Sequence, residues 1–110
     1  MLDTVLLMRL QSKGDTMALV HESFTVGTTP TLIVNLPEGN PATAVTVFND
    51  ANHTMYIGDA SLATSGADKG MPVYKDYIFV ITLNAEDKLY AIAATTSPAN
   101  ALTVLYSKVI

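Results

Sequence analysis

Two histidines, His21 and His53, are the only imidazoles that this chain offers for acid–base chemistry, and no cysteine accompanies them. General acid–base or nucleophilic catalysis needs a second group aimed at the imidazole, either a carboxylate that orients it or a hydroxyl that it deprotonates. His21 stands next to Glu22, but neighbouring side chains of an extended strand point to opposite faces. Neither a G-x-S-x-G elbow nor an H-E-x-x-H pair occurs. The chain is therefore read as a non-enzyme. The lack of cysteine also removes thiolate metal sites and a disulfide framework.

The remaining polar clusters each have a simpler reading than a site. Asp50-Ala51-Asn52-His53-Thr54 opens like a calcium loop, but Met55 stands where the glycine belongs and Ser61 where the bidentate glutamate belongs. A turn closed by Asn and Asp side chains explains the same residues. Asp59 and Asp68 flank a loop rich in small residues and are read as solvated carboxylates. Asn52-His53-Thr54 fits a glycosylation sequon. The N-terminus shows no basic region of a secretory signal, so the match is read as coincidence. Gly66-Ala67-Asp68-Lys69-Gly70 is too short for a phosphate-binding loop and follows no βα unit. Tyr56, Tyr74, Tyr77, Phe79 and Tyr90 lack the clustered basic residues of a single-strand groove and are read as packing residues. The six basic residues, Arg9, Lys13, Lys69, Lys75, Lys88 and Lys108, are scattered, and the formal net charge is −4, which argues against a phosphate-backbone partner. No cofactor or metal is expected.

A length of 110 residues fits one domain, 1–110, with one core. No apolar run approaches the roughly 20 residues of a membrane-spanning helix, so no membrane partner is expected. The chain is 49% hydrophobic and only 15% charged, a balance that calls for part of its surface to be covered. Thr, Val, Ile and Tyr recur in short alternating runs separated by turn residues, and no sustained helical stripe appears. Strands are expected at residues 4–10, 17–26 (bent near Glu22-Ser23), 31–36, 44–49, 54–58, 77–83, 88–94 and 102–109. In 31–36, alternation places Leu32, Val34 and Leu36 on one face. Asn49-Asp50-Ala51-Asn52 reads as the turn of a hairpin between 44–49 and 54–58. The alanines of 88–94 are read first as ordinary tight packing of two sheets, and with the apolar fraction they also suggest self-association. The fold class is all-β, an antiparallel β-sandwich of eight or nine short strands, jelly-roll-like or immunoglobulin-like.

Several segments resemble one family. They are Thr25-Val26-Gly27-Thr28-Thr29 with Leu32, Val45-Thr46-Val47-Phe48-Asn49, Thr54-Met55-Tyr56-Ile57-Gly58, Gly70-Met71-Pro72-Val73, Leu89-Tyr90-Ala91-Ile92-Ala93-Ala94 and Val104-Leu105. In this order they resemble small β-sandwich virion proteins of tailed bacteriophages, with Met55, Val73 and Lys75-Asp76 departing from the pattern. The resemblance implies a capsid decoration or cement protein, made in the host cytoplasm and carried on the head. Its partners would be the major capsid protein and further copies of itself, as a homotrimer. Residues 1–24 lie outside the shared pattern. An apolar N-terminal strand can pair with another chain's edge, which makes Thr4, Leu6, Met8 and Leu10 the expected contacts. The alternative is a tail, fibre or head-surface module that binds a host receptor or glycan, for which loop 59–72 with Tyr56 and Tyr74 is the candidate pocket.

Overall fold

The structure, a computed structural model, describes residues 16–110, all β-strand and connecting loop, with no helix among them. Strands β1 (Met17–Phe24), β2 (Thr31–Asn35), β3 (Thr43–Asn49), β4 (Met55–Gly58), β5 (Met71–Val73), β6 (Ile78–Leu83), β7 (Lys88–Ala93) and β8 (Leu102–Val109) follow in order. They form two four-stranded sheets, β1-β8-β3-β6 and β2-β7-β4-β5. Every pairing is antiparallel.

The pairing is nested. β1 pairs with β8, β2 with β7, β3 with β6 and β4 with β5. The chain is thus one long hairpin, rolled so that successive segments alternate between sheets, with the loop between β4 and β5 at its tip. That order is the eight-stranded jelly roll. An immunoglobulin arrangement would keep β1 and β2 in one sheet, and they lie in different ones.

Period-2 alternation builds the core. In β8, Leu102, Val104 and Tyr106 turn inward and are buried, while Thr103, Leu105 and Ser107 turn outward. Val45 and Val47 of β3 and Met55 and Ile57 of β4 meet them from both sheets. The alanines of β7 face inward, with Ala91 and Ala93 buried in this core. They bring the two sheets together and are not part of an exposed contact.

The structure corrects four local expectations. Segments 44–49 and 54–58 are not a hairpin, because β3 and β4 belong to different sheets and residues 50–54 cross between them. β1 is not bulged at Glu22-Ser23, since its register with β8 runs unbroken from Met17↔Val109 to Phe24↔Leu102. The irregularity lies in β2 between Leu32 and Val34. The extra residue resets the alternation, so Ile33 and Val34 are both buried and Leu32 is exposed. Met71-Pro72-Val73 is the short edge strand β5, where proline costs no ladder bond. The expected strand 4–10 lies outside the described residues.

The hairpin tip depends on one glycine. A Cβ on Gly70 would lie 2.5 Å from the Ile57 carbonyl oxygen and would overlap the Leu62 side chain. Leu62 is itself buried there. Backbone cannot yield as a flexible side chain can, so Gly70→Ala is expected to cost about 2 kcal/mol, lowering Tm by roughly 10 °C. Thermal unfolding followed by circular dichroism would measure it.

Candidate functional site

The outward face of sheet β1-β8-β3-β6 is the surface that the fold leaves most open. The register aligns its residues in rows. Leu19 lies opposite Ser107, and one row joins His21, Leu105, Thr46 and Val80. The next joins Ser23, Thr103, Phe48 and Ile78. Ala44 and Thr82 pair on the same face. None of these residues is an Asp, Glu, Lys or Arg. Leu19 is 70% exposed, Ile78 64% and Val80 57%. Ser23 Oγ and Thr103 Oγ1 hydrogen-bond each other across the strands at 3.0 Å, so part of the polar fraction is already satisfied internally.

Four strands about 4.8 Å apart and about seven residues long span roughly 19 by 23 Å, or about 430 Å². The largest apolar patch on a typical monomer is of about this size, roughly 300–600 Å², and is often functional. This one is about half of the ~800 Å² that each partner contributes to a standard stable interface. The face therefore suits a contact that is repeated or extended. The other sheet's outward face differs, since it carries Lys88 opposite Asn35, and Tyr56 opposite Ile92.

Two concavities flank the sandwich. A cleft of about 220 Å³ lies between the edges β1 and β2, lined by Glu22, Phe24, Ile33, Asn35, Tyr106 and Lys108 among others. Burial pushes the Tyr106 phenol above its usual range, and the Glu22 carboxylate across the cleft pushes it the same way. The unfolded chain therefore ionises first. Stability from this group is complete below about pH 10 and falls as pH rises from there through the higher folded value. Tyr106→Phe is expected to flatten the decline of Tm above pH 10, which a pH series of melting curves would detect.

The second concavity, about 260 Å³, sits at the hairpin tip against Gly58, Asp59, Ser61, Leu62, Asp68, Lys69 and Gly70. Neither Tyr56 nor Tyr74 lines it. Tyr74 instead packs edge-on against Tyr77, with ring centroids 5.7 Å apart, on the turn between β5 and β6. Asp59 Oδ1 accepts the Ser61 N–H at 2.9 Å and the Ser61 Oγ–H at 2.7 Å. These bonds hold the Asp59 carboxyl below its usual range. The carboxylate closes its own turn.

His21 lies on the uncharged face, whereas His53 lies in the crossing between β3 and β4. The structure does not bring them together, and no three His, Cys, Asp or Glu side chains converge on a metal position among the described residues. Thr4, Leu6, Met8 and Leu10 lie outside the described residues. The uncharged face was missed in the sequence, although it left a signal. The alternate positions 19-21-23, 44-46-48, 78-80-82 and 103-105-107 hold no charge in any of the four strands.

No family model matches this chain, and no curated protein matches it. A solved structure shares its fold, under the description that Bacillus endospore appendages form a novel family of disulfide-linked pili. The likeness has a TM-score of 0.55 at 12% identity and covers 94% of this chain and 99% of that one. At that identity the likeness is one of fold.

Proposed function

We propose that the protein is a structural subunit that decorates the outside of a tailed-phage head and stabilises it, with the uncharged sheet face as its contact surface. The observation that carries this reading is that face, on which four adjacent strands present no charge and leave Leu19, Ile78 and Val80 largely exposed. The ordered resemblance of residues 25–105 to small phage virion proteins supplies the phage head. The fold it shares with an appendage subunit is compatible with assembly. This chain has no cysteine, so any assembly it forms is not disulfide-linked. Its partners in this reading are the major capsid protein and other copies of itself.

The mechanism is additive. A face of about 430 Å² gives one modest contact. Copies joined to one another and bound to one symmetric shell multiply that contact by avidity. The N-terminal residues Thr4, Leu6, Met8 and Leu10 supply a second anchor, since an apolar strand can add to a neighbour's sheet edge. Particles that lack the protein are expected to release DNA at lower temperature or under milder osmotic shock, and added protein should restore them. Unchanged head stability with lost adsorption to the host would replace this reading with host recognition.

A further inference from the structure

The two sheets of a sandwich leave four free edges, and here they are protected unequally. β5 is three residues long and contains Pro72. β2 is interrupted by its irregularity at Leu32 and Val34. β1 carries Glu22 and continues from residue 16 into the N-terminal segment. Prolines, bulges and charges are the usual devices that keep an edge from pairing with another chain. β6, Ile78-Phe79-Val80-Ile81-Thr82-Leu83, has none of them.

The backbone of β6 shows which groups are left free. Asn49 N–H donates to the Tyr77 carbonyl at 3.2 Å, so that carbonyl points toward β3, while the Tyr77 N–H donates to the Tyr74 carbonyl within the turn. In an antiparallel ladder that direction alternates. Phe79, Ile81 and Leu83 therefore also face β3, while the N–H and C=O groups of Ile78, Val80 and Thr82 point away from the sheet. No backbone partner takes them among the described residues. At the same edge Phe79 and Ile81 face the core but are only partly buried. Hydrogen-bonding groups and apolar area are thus both left incomplete along this strand.

We propose that β6 joins two copies of this chain, running antiparallel to its own counterpart about a two-fold axis at Val80. Val80 then lies opposite Val80, and Ile78 opposite Thr82. Every free N–H and C=O of Ile78, Val80 and Thr82 meets a partner, whereas a two-fold at Phe79 or Ile81 leaves one end of the set unpaired. The strand ends agree with this direction. Lys75 and Asp76 precede β6 and offset each other, whereas Glu86 and Asp87 follow it. Antiparallel pairing sets the acidic turn of one copy beside the neutral end of the other. Parallel pairing would set the two acidic turns side by side. The two four-stranded sheets become continuous. Their uncharged faces join into one of about 860 Å², near the area that one partner gives to a stable interface. This contact is independent of what the face binds. It replaces the three-fold association implied by the phage resemblance with a two-fold one, because an isologous strand pair closes at two copies.

A chain without cysteine makes the test clean. Ile78→Cys and Thr82→Cys copies, oxidised separately, should stay uncoupled, and the mixture should give a covalent dimer. Val80→Cys alone should couple to itself, since opposed Cα atoms in such a pair lie about 5.5 Å apart, within disulfide reach. Thr46→Cys on the central strand β3 should not couple. Sedimentation equilibrium on the unmodified full chain should show a dimer that Val80→Pro shifts to monomer at least tenfold. Proline at Val80 removes an N–H that has no partner within the sheet, and circular dichroism would check its fold. Three results would overturn the proposal: a monomer up to about 100 µM, a trimer, or coupling of Thr46→Cys as efficient as that of Val80→Cys.

Discussion

Asn49→Leu is expected to be among the most damaging single substitutions in the described chain, at about 3–5 kcal/mol. Asn49 is fully buried at the end of β3. Its Nδ2 donates to the His53 carbonyl at 2.9 Å and to the Val73 carbonyl at 2.8 Å, and its Oδ1 accepts the Ala51 N–H at 2.8 Å. Its backbone N–H and C=O bond Tyr77 and Asp76. One residue therefore ties the crossing from β3 to β4 and the end of β5 through its side chain, and the approach to β6 through its backbone. Leucine has a similar volume but leaves two carbonyls and an amide without partners, each worth about 1–3 kcal/mol when buried. Asn49→Asp separates hydrogen bonding from shape. It keeps the acceptor and the volume, loses both donated bonds and sets a carboxylate against two carbonyls, so it should destabilise at least as much. Asn40→Ala is the milder comparison, since Asn40 Oδ1 accepts only the Val109 N–H and its Nδ2 bonds the adjacent Pro41 carbonyl. Chemical denaturation should show a fall in midpoint for Asn49→Leu and Asn49→Asp well beyond that for Asn40→Ala. Equal small shifts in all three would mean that the network is not what fixes these loops.

The second large effect concerns binding without loss of fold. Leu19→Lys with Leu105→Lys should weaken attachment to the shell at least 100-fold, while Tm changes by only a few degrees. Both side chains point outward, Leu19 at 70% and Leu105 at 41% exposure, so little core packing is lost. Two lysines within an uncharged contact must be desolvated without partners, and apolar anchors of this kind carry about 2 kcal/mol each. These residues sit on β1 and β8, away from β6, so the substitutions separate shell binding from self-pairing. Binding to heads can be read by co-sedimentation across a titration. Unchanged retention of the double variant would move the contact off this face.

The sequence carried the strand content well, because alternation is a local property. β8, Leu102–Val109, falls where the pattern placed it, and the Asx turn at Asn49 forms through Oδ1 and Ala51 N–H. The assignment of strands to sheets was not legible. Asn49-Asp50-Ala51-Asn52 has the chemistry of a hairpin turn, yet the same chemistry serves a crossing between sheets. The choice is made by long-range pairing of β3 with β8 and β6. The shift of phase at Leu32 was hidden for a similar reason. Leu32, Ile33 and Val34 are all apolar, so nothing in the residue types marks which one the bulge turns outward. The uncharged face was half legible. Each strand shows uncharged alternate positions, but only the register shows that they lie side by side. The alanines of β7 were legible: their small size reads as tight packing of two sheets, and Ala91 and Ala93 are buried in the core.

The central claim is that this protein covers the outside of a phage head with its uncharged sheet face toward the shell. A cryo-EM map of the particle that carries it tests that claim most directly. The account predicts jelly-roll density in many symmetric copies on the outer surface, with Leu19, Thr46 and Leu105 against the capsid lattice. Density for this chain confined to a few copies at the tail, or a head-bound chain with that face toward solvent, would contradict it.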